Sequence, residues 1–337
     1  MTWKFLPPGN KEQHERNLAV GRVFAQNSMK VDQLRDHRKT ETECIDWSTN
    51  GEKIFVLSRD GTMKMWRSDR LLEERSWTGS WTWLESHPTD PHLFAAVSWD
   101  GNVRITDIRN PTVAASELDS KKSKGFEKFL HATWRPDGNE IAIVTRSDAV
   151  HTIDVSSNSL LGTSQQSSEV YAVVYDSWNR LWIGVGGTPG KILVFPDGSL
   201  NDPDVLVAHA HSTTCLTRSG DVIVSAGNDA LVAIWDSSKM KCIGTLPDSI
   251  SPVTTVACSD TSYGLVAWGS GGSGVKDGES VLSMGGISTG QHYVSHSVAA
   301  PVSRVKWHPN KLVLAYSLQA APGVDTGVSL MSFPSLD

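Results

Sequence analysis

The sequence predicts an all-β chain closed into a ring, a seven-bladed β-propeller sealed by an N-terminal strand. Three observations carry this expectation. A unit of about 40 residues recurs along the 337-residue chain, and self-similarity at that period marks an array of supersecondary units. Within each unit, short apolar or alternating runs are divided by tight turns led by Asp, the pattern of antiparallel hairpins. One such unit cannot bury its own apolar faces, so the copies must pack on one another until the array closes.

The clearest copy runs from Ala210 to Leu246. It holds His211, then Ser225-Ala-Gly-Asn-Asp229, then Leu231-Val-Ala-Ile-Trp235-Asp236. The Trp-Asp pair at its end is the signature of a WD40 unit. The first unit reads Cys44 to Trp47, a turn over 48–51, Lys53 to Leu57, Asp60-Gly61 and Thr62 to Trp66. The second reads Trp83-Leu84, Leu93 to Val97, Asp100-Gly101 and Val103 to Asp107, with Thr106 where Trp is expected. The third reads Leu130 to Trp134, Ile141 to Val144 and Ala149 to Asp154. The fourth is weaker, with Tyr171 to Tyr175, Leu181 to Gly184 and Lys191 to Phe195. The sixth places Val253 to Cys258 and Leu265 to Trp268 before a Gly/Ser-rich stretch and Ser280 to Met284. The seventh spans Val302 to Trp307, Leu312 to Tyr316 and Gly327 to Phe333.

The seventh unit is about one strand short. The segment 29–34 reads as an outer strand and is expected to pair with 328–333, because an open edge would expose ladder groups. This makes 29–337 one propeller domain. Residues 1–28, polar with two prolines and scattered charge, are expected to form an extended arm.

Composition narrows the function classes. The net charge is −6, so no basic field announces nucleic-acid binding. No apolar run reaches the ~18 residues of a membrane span. The four cysteines, Cys44, Cys215, Cys242 and Cys258, form no C-x-x-C pair and read as buried free thiols of a reducing compartment. The histidines show no ligand spacing, so no metal is expected.

His211, Ser225, Asp229 and Trp235 have the spacing of a hydrogen-bonded set that ties neighbouring strands. Ser, His and Asp together also suit nucleophilic catalysis, but the repeat already accounts for every position, and a buried carboxylate bonded to turn amides is a structural device. The run Gly269-Ser-Gly-Gly-Ser-Gly274 fits a phosphate-loop pattern only weakly; no helix follows, and it reads as a surface loop. Lys121, Lys122 and Lys124 form a basic run that is either a solvated loop or a contact for an acidic partner or RNA phosphates. Residues just before each turn Asp sit on the rim of one face, here Arg59, Trp99 and Asn228. Trp and Arg dominate interface hot spots, so Arg59, Trp99 and Trp83 are the partner-binding candidates beside the three lysines, while Trp81 reads as core.

The stretches His87-Pro88, Pro91 to Phe94 and Asp100 to Arg109; Trp134 to Gly138 and Asp148 to Asp154; Asp229 to Asp236; and Trp307 to Leu312 together resemble the THO complex subunit 3 family, the WD-repeat subunit of the THO/TREX assembly. The resemblance spans about 37–333. It departs at Thr106, at the shortened Trp77–Trp81 stretch, which lacks a His, and at the Gly/Ser stretch after Trp268. It implies a nuclear, non-catalytic scaffold that supports mRNP assembly and mRNA export coupled to transcription. Its partners would be other THO/TREX subunits, with RNA reached indirectly, and it would need no cofactor, small-molecule substrate or membrane. The alternatives are another WD40 adaptor, such as a ubiquitin-ligase substrate receptor or a coat component, a propeller enzyme, and direct RNA binding, which should show as a steep loss of affinity with salt. An enzyme would need acids or histidines converging on the central channel, and the sequence reveals no such set.

Overall fold

The computed structural model describes residues 29–34, 40–67, 70–77, 79–109, 114–118, 128–196, 200–246, 251–259, 262–271 and 280–333, with Glu15, Ala19, Gly21, Val23 and Phe24. These form seven four-stranded antiparallel sheets. Blades 1 to 6 are each built from consecutive strands, within 42–76, 81–118, 129–165, 170–209, 213–246 and 253–297. Blade 7 takes three strands from 302–332 and its outer strand from Lys30–Gln33, in the register Lys30 to Ser332 and Gln33 to Ser329. The Leu34 amide extends this ladder to the Val328 carbonyl at 2.9 Å. The expected closure by an N-terminal strand is therefore present, and it pairs the edge that blade 7 would otherwise leave open.

Every inner strand carries a bulge at the same place, opposite the end of the second strand. A bulge adds one residue and sharpens the twist. The inner strands meet around a central channel, each touching the next and the last touching the first. The apolar core lies between blades rather than inside one. Phe55 of blade 1 meets Phe94 of blade 2 at 4.9 Å, and both are fully buried. Each such side chain contributes about 1.5–3 kcal/mol by leaving water.

Polar side chains stitch the same seams. The hydroxyls of Thr82, Thr214 and Thr254, at equivalent positions, donate to the carbonyls of Phe129, Val253 and Val302 on the next inner strand, at 2.9–3.1 Å. His87 and His308 are wedges between blades. Their rings lie 4.6 Å from Trp134 and 4.7 Å from Trp47, and they sit against the left-handed turn glycines Gly138 and Gly51, which leave no room for a Cβ. Burial depresses His308 to about 4, so it stays neutral in this seat.

Three expectations change. The described residues of 1–28 are helical rather than extended. Phe24 is 2% exposed and packs on Phe333 at 4.2 Å, because an aromatic ring gains more against the ring of blades than in water. Gly269 and Ser270 are strand residues of Leu265–Ser270 rather than loop, with 272–279 outside the described residues. A Cβ at Gly269 would overlap Val302 of blade 7, so glycine is what lets the two blades approach. Finally, Cys242 is exposed, whereas Cys44 is buried and Cys215 and Cys258 are partly so.

Candidate partner-docking site

The hydrogen-bonded set of blades 4 and 5 is real, but its histidine is His209 and not His211. Asp229 Oδ1 faces His209 Nδ1 at 2.9 Å, His209 Nε2 lies 2.8 Å from Ser225 Oγ, and Trp235 Nε1 donates to Ser225 Oγ at 2.9 Å. The acceptor role of Asp229 places the histidine proton on Nδ1, so the Ser225 hydroxyl donates to Nε2. Burial lowers the His209 pKa although Asp229 pulls the other way, which keeps the ring neutral. His209 ends the outer strand Asp204–His209. His211 lies beyond it in the crossing to blade 5 and is exposed. With all partners satisfied by the fold, the set is a staple and not a nucleophile with its base.

One face of the ring is defined by a bond repeated in all seven blades. The amides of Arg59, Trp99, Arg146, Gly186, Asn228, Gly271 and Gln319 donate to the carbonyls of Glu41, Ser80, Lys128, Glu169, Ser212, Pro252 and Pro301. These seven positions form the upper rim, as the spacing before the turn Asp predicts for Arg59, Trp99 and Asn228. Trp99 is half-buried, with Lys128 Nζ 4.6 Å and Arg146 Cζ 6.0 Å from its ring centroid. A cation held over an indole gains about 0.5–1 kcal/mol when exposed. Arg59 pairs with Glu41 at 2.6 Å but is 73% exposed, so this pair adds little stability and leaves the guanidinium presented to solvent. Lys121, Lys122 and Lys124 lie outside the described residues.

Blade 2 replaces the staple with aromatics. Trp77 stands opposite Gly61 as His209 stands opposite Gly190. It meets Trp81 at 5.0 Å and stacks on Phe94 at 6.0 Å, and the Arg104 guanidinium covers both indoles at 5.4 and 5.3 Å. This explains how the stretch without a His still closes. Trp81 is core, as expected. Trp83 is not on the rim. It lies on the inner strand Trp81–Ser86 and lines the channel, edge-on to His131 at 4.7 Å and under Arg304 at 5.6 Å.

The channel gathers a charged set that the sequence does not reveal. Cys44, Trp83, His131, Ala172, Cys215, Thr255 and Arg304 hold one register position on the seven inner strands; two residues further along lie Asp46, Glu85, Thr133, Val174, Thr217, Ala257 and Lys306. Asp46 accepts from Lys306 Nζ at 3.0 Å and from the Ser86 amide at 2.6 Å. Burial lifts the Glu85 carboxyl to about 7, with Lys306 opposing and Asp46 reinforcing the rise. Burial also works against the Lys306 charge, yet Asp46 and Glu85 together hold the ammonium above the lysine range. Lys306 nevertheless keeps 40% of its side chain open to the channel. Burial drops His131 to about 3 and lifts Cys44 and Cys215 to about 11. The thiols are therefore protonated at neutral pH and poor nucleophiles. Among the described residues no three His, Cys, Asp or Glu are arranged to hold a metal, and no helix is long and apolar enough to cross a membrane.

The family model "WD domain, G-beta repeat" matches residues 28–67. The chain is 25% identical over 301 residues to THO complex subunit 3 of Arabidopsis thaliana, covering 85% of this chain and 88% of that one. It is 22% identical to WD repeat-containing protein AAC3 of Dictyostelium discoideum and 26% identical to Cell division cycle 20.1, cofactor of APC complex, of Arabidopsis thaliana, spanning 52% of each. Among solved structures, the RRP9 WD40 repeats superpose with a TM-score of 0.73 at 16% identity, over 90% of this chain and 97% of that one; U3-55K gives 0.72 at 15%, over 90% and 98%. These likenesses carry the fold. The chain is thus a seven-bladed WD40-repeat propeller that resembles THO complex subunit 3.

Proposed function

We propose that this propeller is a non-catalytic scaffold subunit of a THO/TREX-type assembly. In that role it supports mRNP assembly and nuclear export of mRNA coupled to transcription, contacts other subunits, and meets RNA only through them. The observation that carries the reading is the match to THO complex subunit 3 along most of both chains. The upper rim supports it physically. Lys128 and Arg146 hold exposed cations over the half-buried Trp99 indole on blades 2 and 3, Arg59 presents an exposed guanidinium on blade 1, and such groups anchor protein interfaces. The non-catalytic reading is supported by Asp46, which is held by Lys306 and the Ser86 amide, and by the channel thiols, which burial keeps protonated.

The test is affinity purification of the tagged chain from nuclear extract, with mass spectrometry of the associated proteins. THO subunits recovered with the wild type, and reduced about tenfold with Trp99→Ala, are the expected result. Recovery of a cullin adaptor or of coat proteins instead would transfer the chain to another WD40 adaptor class, the reading favoured by its similarity to an APC cofactor. That similarity spans about half of the relative, which makes it the weaker one.

A further inference from the structure

The upper mouth of the central channel holds donors that the fold itself does not use. A cavity of about 430 Å³ opens there, lined by Trp83, His131, Tyr171, Cys215 and Arg304, with Asn228 of the rim at its edge. Arg304 makes no ion pair with any described acid. Its Nη1 donates to the carbonyl of the preceding residue, Ser303, at 3.0 Å, and its Nε is buried without an acceptor among the described residues. Trp83 Nε1, beside it in the same cavity, is likewise buried with no acceptor among the described residues. Buried donors are nearly always paired. Two such donors, brought together from blades 2 and 7 with the guanidinium 5.6 Å from the indole, mark a place where an acceptor belongs.

The chemistry of that acceptor is narrow. It must offer lone pairs and no proton, and a planar carboxylate matches the guanidinium edge while leaving an oxygen for the indole N–H. Its charge is limited to one. Asp46, Glu85 and Lys306 lie two residues further down the inner strands, about 7 Å away by the strand rise; Lys306 is already paired with Asp46, so that layer adds no free positive charge to balance a dianion. His131 is held neutral by burial, so Arg304 is the cation of the mouth. Tyr171 and Trp83 supply apolar walls for a methylene stem. Outward on blades 2 and 3, the same blades that carry Trp83 and His131, Trp99 lies under Lys128 and Arg146. Cations thus lie at the mouth and on the blade 2–3 rim, while the Glu169 carboxylate on blade 4 accepts from Tyr171 Oη at 2.7 Å; the cations of blades 7, 2 and 3 complement a segment with more than one acid.

We propose that this mouth is a pocket for a single carboxylate side chain of an acidic, extended partner peptide, anchored by Arg304 and Trp83. The proposal rests on the docking role inferred above and names the chemistry of the docked segment.

The test uses the full chain labelled with 15N-tryptophan, with the Trp83 indole resonance assigned by its loss in Trp83→Phe. N-acetyl-glutamate methylamide, N-acetyl-glutamine methylamide and N-acetyl-phosphoserine methylamide are titrated in turn to about 50 mM, a range suited to one weak contact. The glutamate compound is expected to shift the Trp83 indole proton saturably and the glutamine compound to leave it in place. Arg304→Gln is expected to weaken the glutamate response about tenfold, and Arg304→Lys less. The wild-type contrast of glutamate with glutamine stands even if an Arg304 variant fails to fold. No shift, or equal shifts for glutamate and glutamine, overturns the pocket. Tighter binding of the phosphoserine compound overturns the carboxylate and assigns a phosphoryl group. THO subunits recovered from nuclear extract without a carboxylate-dependent shift overturn this pocket alone, whereas a shift without those subunits overturns the assembly assignment alone.

Discussion

Replacing Asp229 by alanine deletes a carboxylate that is 6% exposed and accepts three hydrogen bonds, from His209 Nδ1 at 2.9 Å, the Ala210 amide at 2.8 Å and the Leu231 amide at 3.3 Å. Bonds to a charged acceptor contribute ~1.5–3 kcal/mol each, and the longest contributes less. Water entering the turn recovers part of the loss for the two amides, but the buried imidazole keeps its stranded donor. The expected destabilisation is about 4 kcal/mol. At about 2.1 cal/mol/K per residue, a chain of 337 residues has an unfolding entropy near 0.7 kcal/mol/K. The melting temperature should therefore fall by about 6 °C. His209→Ala removes the bonds to both Asp229 and Ser225 and should cost about the same. The double variant should be sub-additive by about 1.5–2 kcal/mol, because the two singles share one bond. His211→Ala touches an exposed side chain and should stay within about 0.5 kcal/mol. Calorimetric melts of the four proteins read all of this. A drop for His211→Ala equal to that for His209→Ala, or an Asp229→Ala protein melting within about 1 °C of wild type, would refute the assignment of the staple.

Three further outcomes are expected. Deleting residues 1–34 unpairs Val328–Ser332 and removes Leu34 and Phe24, which are 4% and 2% exposed; the loss of a short ladder and two buried apolar side chains amounts to about 6–8 kcal/mol, read as an earlier melt and as aggregation in light scattering. Gly269→Ala drives a methyl into Val302 and should cost about 1–3 kcal/mol in denaturant titration, whereas a mere loop glycine would tolerate it. Glu85→Gln should alter the pH dependence of stability. The unfolded Glu85 loses its proton near 4.5 and the folded one near 7, so the folded state binds more protons between these values and wild-type stability declines as pH rises through this window. The ceiling is about 3 kcal/mol at 1.36 kcal/mol per unit, and channel water reduces it to about 1–2 kcal/mol. The Gln variant should lack this decline in urea titrations at pH 5 and pH 8; an identical slope in both proteins would contradict the raised carboxyl.

What the linear sequence determined was the part of the fold written in short-range pattern. Alternation in Thr62–Arg67 or Val103–Asp107, a turn led by Asp60 or Asp100, and a Trp-Asp pair at 235–236 repeat locally. Their recurrence sets the blade count and leaves one outer strand missing, which identifies 29–34 as the closure. The rim is legible for the same reason, since Arg59, Trp99 and Asn228 each precede a turn residue that the repeat already locates.

Tertiary structure decided what two strands or two blades settle between them. His209 and His211 have the same parity and nearly the same distance from Asp229 in sequence; only the end of the strand at His209 decides which imidazole turns inward. Trp77 replaces a histidine without any local sign that Arg104 waits to cover it. The channel is the strongest case. Asp46, Glu85, Arg304 and Lys306 come from three different blades, and each inner strand contributes one residue per layer, so their convergence leaves no spacing for a motif to report. It exists because seven similar bulged strands end at one axis, which is a property of ring closure and of no single repeat.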